Sequence, residues 1–273
     1  MISSLHTHAT LCDGADSLVD MAKAAYGAGV DVYGVSCHSH TPAPFDAGHT
    51  LELDLSAYRE QVETMRLCYK DKMDVLLGLE WDATSDMASQ ELETLDYWIG
   101  SVHNLCDPKT NTYHAIDWDG QKLQHCIDTV FAGSALMLVA AYYRMVCQVA
   151  RKNPPILGHF DLIVKLNENG RFFNENSLIY QNIALDALET VDVEATVLEV
   201  NSGALSKYGR IYPAPFILQA WQKRGGRIVL TADAHSASAI IAGMADGAAL
   251  AQSCGFTHHH VLTNAGWRSL PLV

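Results

Sequence analysis

The sequence predicts a single α/β domain whose parallel strands close into a barrel of the TIM type or a close variant. Its 273 residues are 49% hydrophobic, which is enough to bury one large core. Short apolar runs alternate with segments of helical periodicity, as in folds with a parallel sheet. Nearly every apolar run ends at a His, Asp or Glu residue, and such a barrel has its active site at the carboxyl ends of its strands. A flat doubly wound sheet is the alternative, but it would gather side chains only from strands beside its switch point.

The whole chain, residues 1–273, is predicted to be one domain, because no linker, low-complexity segment or fixed-period repeat divides it. Seven short apolar runs have the length and boundaries of buried strands. The predicted strands are 1–8, 30–35, 75–79, 97–102, 156–158, 196–200 and 227–230, with a further strand at 256–262 in the tail.

Helical patterns fill most of the segments between these strands. Leu18, Met21 and Ala25 lie on one face of the first helix, which Gly27 ends. The second helix begins near Ser56, the predicted N-cap. The remaining predicted helices are 120–132, 135–152, one through Ile183 and Val191, and one after Pro213 and Pro215.

Charge and cysteine usage exclude several classes of function. The formal net charge of −13 argues against a nucleic-acid-binding surface, which needs clustered Lys and Arg. Seven Cys is an odd number, and without a Cys-x-x-Cys pair we expect reduced thiols. No signal peptide opens the chain, and the apolar stretch 130–150 contains Arg144 and a solid apolar run shorter than a membrane span. We therefore expect a cytoplasmic protein that binds neither membranes nor nucleic acid.

A His-x-His pair near the start of the chain is the first of many metal-ligating residues. His6 and His8 lie two residues apart, so in a strand both imidazoles project from the same face. Further His, Asp and Glu residues recur where apolar strands stop, which packing does not explain. Nine nitrogen or carboxylate groups without a thiolate suit two or three ions of Zn, Mn or Fe. The candidate ligands are His6, His8, Asp13, His38, Glu80, His103, His159, Asp233 and His235.

Eight short motifs follow one another along the chain. They are His6-Thr7-His8, Cys12-Asp13-Gly14, Cys37-His38-Ser39-His40-Thr41-Pro42, Gly78-Leu79-Glu80, Ile99-Gly100-Ser101-Val102-His103, Leu157-Gly158-His159-Phe160-Asp161, Glu199-Val200-Asn201-Ser202-Gly203 and Ala232-Asp233-Ala234-His235-Ser236. Together they resemble the motifs of the PHP (polymerase and histidinol phosphatase) family, and most of all its stand-alone histidinol-phosphate phosphatase branch. One departure is Thr231-Ala232-Asp233, which stands where the family usually has Gly-Ser-Asp and keeps the Asp.

The resemblance implies a distorted TIM-like (β/α)7 barrel with three divalent metal ions at the carboxyl ends of its strands. By motif, His6, His8, Glu80 and Asp233 would hold the first ion. Glu80 would bridge to a second ion held with His103 and His159. Asp13, His38 and His235 would hold the third ion.

The same resemblance implies hydrolysis of a small-molecule phosphate ester, most specifically L-histidinol phosphate in histidine biosynthesis. Glu80, Asp233 and His235 would take part in catalysis, with Asp233 or His235 as one possible proton donor to the leaving group and a metal-bound water as the other. The substrate's phosphate needs a cation, and the candidates are Arg210, Arg144, Lys207 and Lys165, of which Arg210 follows the sixth strand. Acidic residues to pair with an ammonium group are Glu52, Asp82 and Asp117.

Other functions remain open at this point. A related enzyme could act on another small phosphomonoester or on nucleic-acid phosphodiesters, although the acidic charge disfavours a polymer. The chain could also be a metal-binding module without turnover, although the ligand set is intact. Assaying a metal-quantified sample against phosphomonoesters and phosphodiesters separates the three. The sequence does not predict an oligomeric state.

Overall fold

The computed structural model describes residues 1–42 and 53–272, in which helices alternate with mostly parallel strands, as predicted. The strands are β1 (Ser3–Ser4), β2 (Val32–Val35), β3 (Asp74–Leu77), β4 (Glu80–Asp82), β5 (Ile99–Ser101), β6 (Asn104–Asp107), β7 (Thr112–Ala115), β8 (Ile156–Leu157), β9 (Val197–Asn201), β10 (Arg227–Thr231), β11 (His258–Thr263) and β12 (Gly266–Pro271). The helices are α1 (Leu18–Gly27), α2 (Leu55–Cys68), α3 (Ser89–Leu92), α4 (Gly120–Val130), α5 (Ala135–Ala150), α6 (Leu178–Leu188), α7 (Leu205–Tyr208), α8 (Pro215–Lys223) and α9 (Met244–Ser253).

Eight of the strands form two parallel sheets that meet at both of their edges. One sheet has the order β1-β2-β3 and the other β10-β9-β8-β5-β4. A bridge between Thr7 and Ala234 joins the first sheet to the chain beyond β10, and a bridge between His38 and Glu80 joins the chain beyond β2 to β4. Since β3 and β4 are halves of one strand interrupted at residues 78–79, the ring has seven strands. The fold is the distorted TIM-like barrel that the sequence predicts.

Aromatic side chains fix the backbone where the strand between β3 and β4 is interrupted. The hydroxyl of Tyr58 donates a 2.9 Å hydrogen bond to the carbonyl oxygen of Gly78. The ring of Tyr97 packs against Gly78 and Gly34 so closely that a Cβ atom at either glycine would overlap it. Glu80 therefore opens β4, rather than following the end of a single strand as the predicted strand 75–79 implied.

The apolar stretch that resembled a membrane span is a buried helix of the core. One side of α5 packs in the largest hydrophobic cluster, and it includes Leu138, Tyr142 and Val146. Among the described residues, no single helix is long and apolar enough to cross a membrane. α4 and α5 have the length and apolar composition of a span only when taken together, and the chain bends by 97° between them.

Several predicted boundaries are wrong. The first strand pairs only at Ser3–Ser4, far short of 1–8. α2 is capped by Asp54, not Ser56, because the Asp54 carboxylate accepts the backbone N–H groups of Ser56 and Ala57 at 2.9 and 3.0 Å. The tail folds into an antiparallel hairpin of β11 and β12, and the hairpin of β6 and β7 was not predicted. Residues 43–52, which include Glu52, lie outside the described ranges.

Candidate metal centre

The chain beyond β1 carries His6 and His8 into the barrel. The backbone N–H of His8 donates to the carbonyl of Ala234 at 2.8 Å, and Ala234 donates back to the carbonyl of His6 at 3.0 Å. Both imidazoles are fully buried, and their Nε2 atoms lie 3.4 and 3.3 Å from Oδ1 of Asp233. Their ring centroids are 5.3 Å apart. The two side chains thus reach the same carboxylate, as their spacing predicted.

Glu80 lies at the middle of the centre, where its two buried oxygen atoms contact five imidazoles. The nitrogen atoms are Nε2 of His159 at 2.8 Å, of His103 and His6 at 3.2 Å and of His8 at 3.4 Å, and Nδ1 of His38 at 3.1 Å. This carboxylate is therefore shared by residues from every part of the centre.

Asp13 organises a second group nearer the mouth of the barrel. Its Oδ1 atom is 3.3 Å from Nδ1 of His8, and its Oδ2 atom is 3.4 Å from Nε2 of His38 and 3.3 Å from Nε2 of His235. His235 is the most exposed of the nine candidates, with a side-chain exposure of 44%. The structure thus brings all nine candidate ligands together.

The candidate ligands form four overlapping groups rather than three separate sets. In each group the ligand atoms lie within 4.8 Å of one another. The groups are His8-Asp13-His38-His235, His6-His8-Glu80, His6-His159-Asp233 and His38-Glu80-His103. His38 contacts both Asp13 and Glu80, so it does not belong only to the set with Asp13 and His235 that the family resemblance implies.

The charges of the centre strongly perturb its pKa values. Burial acts to lower the pKa of His6, but the carboxylates of Asp233, Glu199 and Glu80 outweigh it and hold that pKa well above the ordinary value. Burial acts to raise the pKa of Glu80, but the surrounding imidazoles, His6 foremost, hold it well below the ordinary value. The centre therefore favours positive charge at its interior.

Several ligand atoms make no hydrogen bond of ordinary geometry among the described residues, although oppositely charged or polar atoms lie 3.2–3.4 Å from three of them. These ligand atoms are the buried Nε2 atoms of His6 and His8, Nδ1 of His159 and Oδ1 of Asp13. An unsatisfied buried polar atom is unfavourable by about 1–3 kcal/mol. Divalent metal ions would satisfy such atoms, and imidazole with carboxylate is an ordinary donor set for zinc, manganese or iron. The residues therefore fit a divalent metal centre.

Two buried carboxylates that sequence reasoning did not assign to the centre hold candidate ligands in place. Oδ2 of Asp82 lies 3.0 Å from Nδ1 of His103 and accepts its backbone N–H at 2.9 Å. Oε1 of Glu199 lies 2.6 Å from Nδ1 of His6. The available signal was an acid inside an apolar strand: Glu199 interrupts β9, and Asp82 follows Glu80 at the two-residue spacing of one strand face.

A cavity of about 930 Å³ opens from the metal centre toward the hairpin β6-β7 and the start of α4. Its lining includes Asp13, Glu80 and Asp233 from the centre. Two cations line it as well, Lys122 and Lys165. Nζ of Lys165 contacts Oδ2 of Asp117 at 2.8 Å, and this pair is mostly buried.

The three cations chosen for phosphate binding do not line the cavity among the described residues. Arg210 is instead paired with Glu175, whose two oxygens accept hydrogen bonds from its guanidinium at 2.8 and 2.9 Å. Arg144 is exposed on α5, and Lys207 is exposed on α7. The geometry therefore favours Lys165, the remaining candidate, over these three.

Of the acidic residues considered for an ammonium group, Asp82 and Asp117 line the cavity, and each already has a partner. Asp82 is 4% exposed and is occupied by His103. Asp117 lines the cavity beside Lys165. Glu52 lies outside the described ranges.

Comparisons with known proteins agree with this geometry. The family model of the PHP domain matches residues 4–203. A protein of Deinococcus radiodurans named "probable histidinol-phosphatase" is 30% identical over 241 residues, which cover 84% of this chain and 85% of that protein.

Two solved structures share the fold. A Listeria monocytogenes protein with a provisional histidinol phosphatase designation superposes with a TM-score of 0.72 at 18% identity, over 89% of this chain and 99% of its own. The histidinol phosphate phosphatase of Lactococcus lactis superposes with a TM-score of 0.66 at 16% identity, over 98% of each chain. That structure contains zinc, L-histidinol and phosphate.

Proposed function

Because the chain belongs to the PHP domain family, we propose that it is a metal-dependent phosphatase that hydrolyses L-histidinol phosphate to L-histidinol and inorganic phosphate. The observation that carries this proposal is one buried centre of nine ligand-type side chains that opens into a cavity with its own cations. The name of the Deinococcus radiodurans relative and the contents of the Lactococcus lactis structure support the substrate. This activity would place the protein in histidine biosynthesis and in the cytoplasm.

We infer three divalent ions, of zinc, manganese or iron, held by the nine ligands. The four overlapping groups support more than one ion, and the central position of Glu80 suits a carboxylate shared between two of them. Bound divalent ions supply an activated water at neutral pH and neutralise the charge of phosphoryl oxygens. The residues contribute by fixing the positions of those ions before substrate arrives.

Lys165 is our proposed phosphate-binding cation, in place of Arg210. It lines the same cavity as Asp233, and its pKa is raised by Asp117 and Asp233 against the opposing effect of burial. The contact with Asp117 holds the ammonium group in one place and keeps it charged. Within the described part of the chain, two of its three N–H donors remain to bind phosphate oxygens.

The leaving alcohol oxygen must gain a proton, and we place that role at His235, since Asp233 is ionised: burial acts to raise its pKa, but His6, His8 and His235 hold that pKa well below the ordinary value. His235 lines the cavity and is exposed to it. Nδ1 of His235 lies 3.0 Å from the carbonyl oxygen of Asp233 and donates to it, so Nε2 is the nitrogen left to exchange a proton in the cavity. Glu80 would contribute to catalysis by holding the metal ions, because its carboxylate lies among five imidazoles.

The cavity suits a small ester better than a polymer. Its volume is that of an ordinary small-molecule pocket. The wall remote from the centre is polar and aromatic, and it includes Tyr113, His114 and Asp119. The net charge of −13 also opposes binding of a polyanion.

The test is an assay of purified, metal-quantified protein against L-histidinol phosphate, other small phosphomonoesters, a phosphodiester and an oligonucleotide. We expect the highest kcat/KM for L-histidinol phosphate and loss of activity after chelation, with recovery when zinc or manganese is restored. A higher kcat/KM for the phosphodiester or the oligonucleotide would overturn the substrate. No turnover of any ester by the fully loaded protein would favour a metal-binding module instead.

A further inference from the structure

Glu199 occupies the middle of β9 and is completely buried inside the barrel. Its Oε1 atom lies 2.6 Å from Nδ1 of His6 and accepts the hydroxyl of Thr231 at 2.8 Å. Its Oε2 atom accepts the backbone N–H of His159 at 2.7 Å and the side-chain amide of Asn201 at 3.1 Å. A buried acid with four hydrogen bonds, three of them to distant segments, has a more specific arrangement than core packing requires.

The contact with Glu199 selects one tautomer of His6. An ionised carboxylate only accepts hydrogen bonds, so Nδ1 of His6 must carry the proton in its contact with Oε1, which also accepts the hydroxyl of Thr231. The lone pair of His6 then lies at Nε2, the atom that has no hydrogen-bond partner among the described residues and that faces Glu80 and Asp233. Glu199 thus turns the coordinating nitrogen toward the other ligands.

Asn201 extends the same network to a third candidate ligand. Its Nδ2 atom lies 3.1 Å from Oε2 of Glu199 and 3.1 Å from Oδ2 of Asp233. Its Oδ1 atom accepts the backbone N–H of Gly203 at 2.9 Å, which fixes the orientation of the amide. His6, His159 and Asp233 come from three distant parts of the chain, and Glu199 and Asn201 contact all three.

We propose that Glu199 and Asn201 form a positioning pair that presets three ligands of the metal centre and fixes the proton of His6 on Nδ1. This inference rests on the metal centre of the proposed function, but it does not depend on the substrate. Neither residue lines the cavity, so both act through the ligands. The motif Glu199-Val200-Asn201 accordingly has a role in metal binding, with the two polar side chains on one face of β9.

Glu199→Gln is the informative variant because it preserves shape, removes the negative charge and replaces one acceptor oxygen with an NH2 donor. All four groups around Glu199 donate, whereas a glutamine has one oxygen and one NH2 group. If the NH2 group faces His6, the imidazole must move its proton to Nε2 and lose the lone pair that faces the other ligands. If it faces His159 and Asn201, both of those donors lose their acceptor.

The experiment measures zinc affinity by competition with a chromophoric chelator, together with the absorption spectrum of the cobalt-loaded protein. Glu175→Gln is the matched control, since it removes a half-buried carboxylate that pairs with Arg210 outside the cavity. We expect Glu199→Gln to weaken the tightest zinc site by about tenfold to a hundredfold and to change the cobalt spectrum. The control should stay within about twofold of the unmodified protein. Circular dichroism and thermal unfolding in chelator establish that the metal-free variants are folded.

An unchanged zinc affinity and cobalt spectrum in folded Glu199→Gln would overturn the proposal. Should that variant not fold, Asn201→Ala decides, with an expected loss of about tenfold in zinc affinity and refutation if affinity is unchanged. The readouts contain no substrate. They therefore separate a failure of this inference from a failure of the histidinol phosphate assignment.

Discussion

Replacing Lys165 by Met should reduce kcat/KM for L-histidinol phosphate by roughly a hundredfold, chiefly through a higher KM. Methionine retains the unbranched apolar stem of lysine and removes the ammonium group with its charge and its N–H donors. Lys165 lines the cavity that opens from the candidate ligands, and its ammonium group is fixed 2.8 Å from Asp117. Zinc content should not change, because Lys165 ligates no metal.

The magnitude has two parts. A charge-assisted hydrogen bond to phosphate contributes about 1.5–3 kcal/mol, which corresponds to roughly tenfold to a hundredfold in kcat/KM. Removing the cation also leaves the Asp117 carboxylate unpaired beside the anionic substrate, and this repulsion moves the loss toward the upper end of the range. Asp117→Asn added to Lys165→Met removes the repulsion, so the double variant should recover to a loss of about tenfold.

The assay is steady-state phosphate release by the unmodified protein, the two single variants and the double variant, each with its zinc content measured. Arg210→Ala is the comparison for the other cation considered from the sequence, and we expect it to stay within about twofold because Arg210 is paired with Glu175. A coupling free energy between Lys165 and Asp117 follows from the four kcat/KM values.

Two results would refute this reasoning. Near-normal kcat/KM in Lys165→Met, with zinc content intact, removes Lys165 from phosphate binding. A large loss in Arg210→Ala would instead restore the residue first chosen from the sequence and would require Arg210 to leave Glu175 when substrate binds.

Three further predictions concern the metal centre. Glu80→Gln should lower zinc affinity by at least about a hundredfold, because it removes a charge that five imidazoles share, and normal zinc retention on dialysis would contradict this. Chelation should lower the midpoint of thermal unfolding, since ions bind only the folded arrangement, and calorimetry with and without chelator measures the shift. Apparent zinc affinity should rise from about pH 6 to about pH 8, because the carboxylates that raise the pKa values of His6 and His8 let protons compete with the metal in the metal-free protein. An affinity that does not depend on pH over this range would show that these imidazoles are already neutral.

The barrel could be predicted because the His, Asp and Glu residues at the ends of strands can be recognised even where the predicted bounds of a strand are wrong. Strand 1–8 is wrong in extent, yet His6 and His8 still share a face because the chain stays extended through Thr7. The position of Glu80 was found from its motif even though the strand is interrupted before it. All nine candidate ligands converge for the same reason: the carboxyl ends of parallel strands meet at one end of a barrel.

What the sequence did not reveal depends on contacts between distant segments. Arg210 and Lys165 are both cations in loops beyond strands, and only the partners Glu175 and Asp117 decide which of them lines the cavity. The hairpin of β6 and β7 lacks an apolar run long enough to signal strands, because only Leu105 and Asp107 are buried in it. Glu199 was part of a recognised motif, but its role depends on His6, almost two hundred residues away.

The two bridges that join the sheets have a consequence for assembly of the barrel. One lies at Thr7 and Ala234, between His6 and His8 on one side and Asp233 and His235 on the other, and the second joins His38 directly to Glu80. The two seams, where the bridges join one sheet to the other, therefore lie in the same stretches of chain that carry candidate ligands. An apoprotein would hold these seams together with a few backbone hydrogen bonds and with contacts between carboxylates and imidazoles that are protonated in the absence of metal. Metal binding by a newly made chain would then complete the closure of the barrel. Without metal, the barrel would open locally at these seams and would be more easily cleaved by proteases.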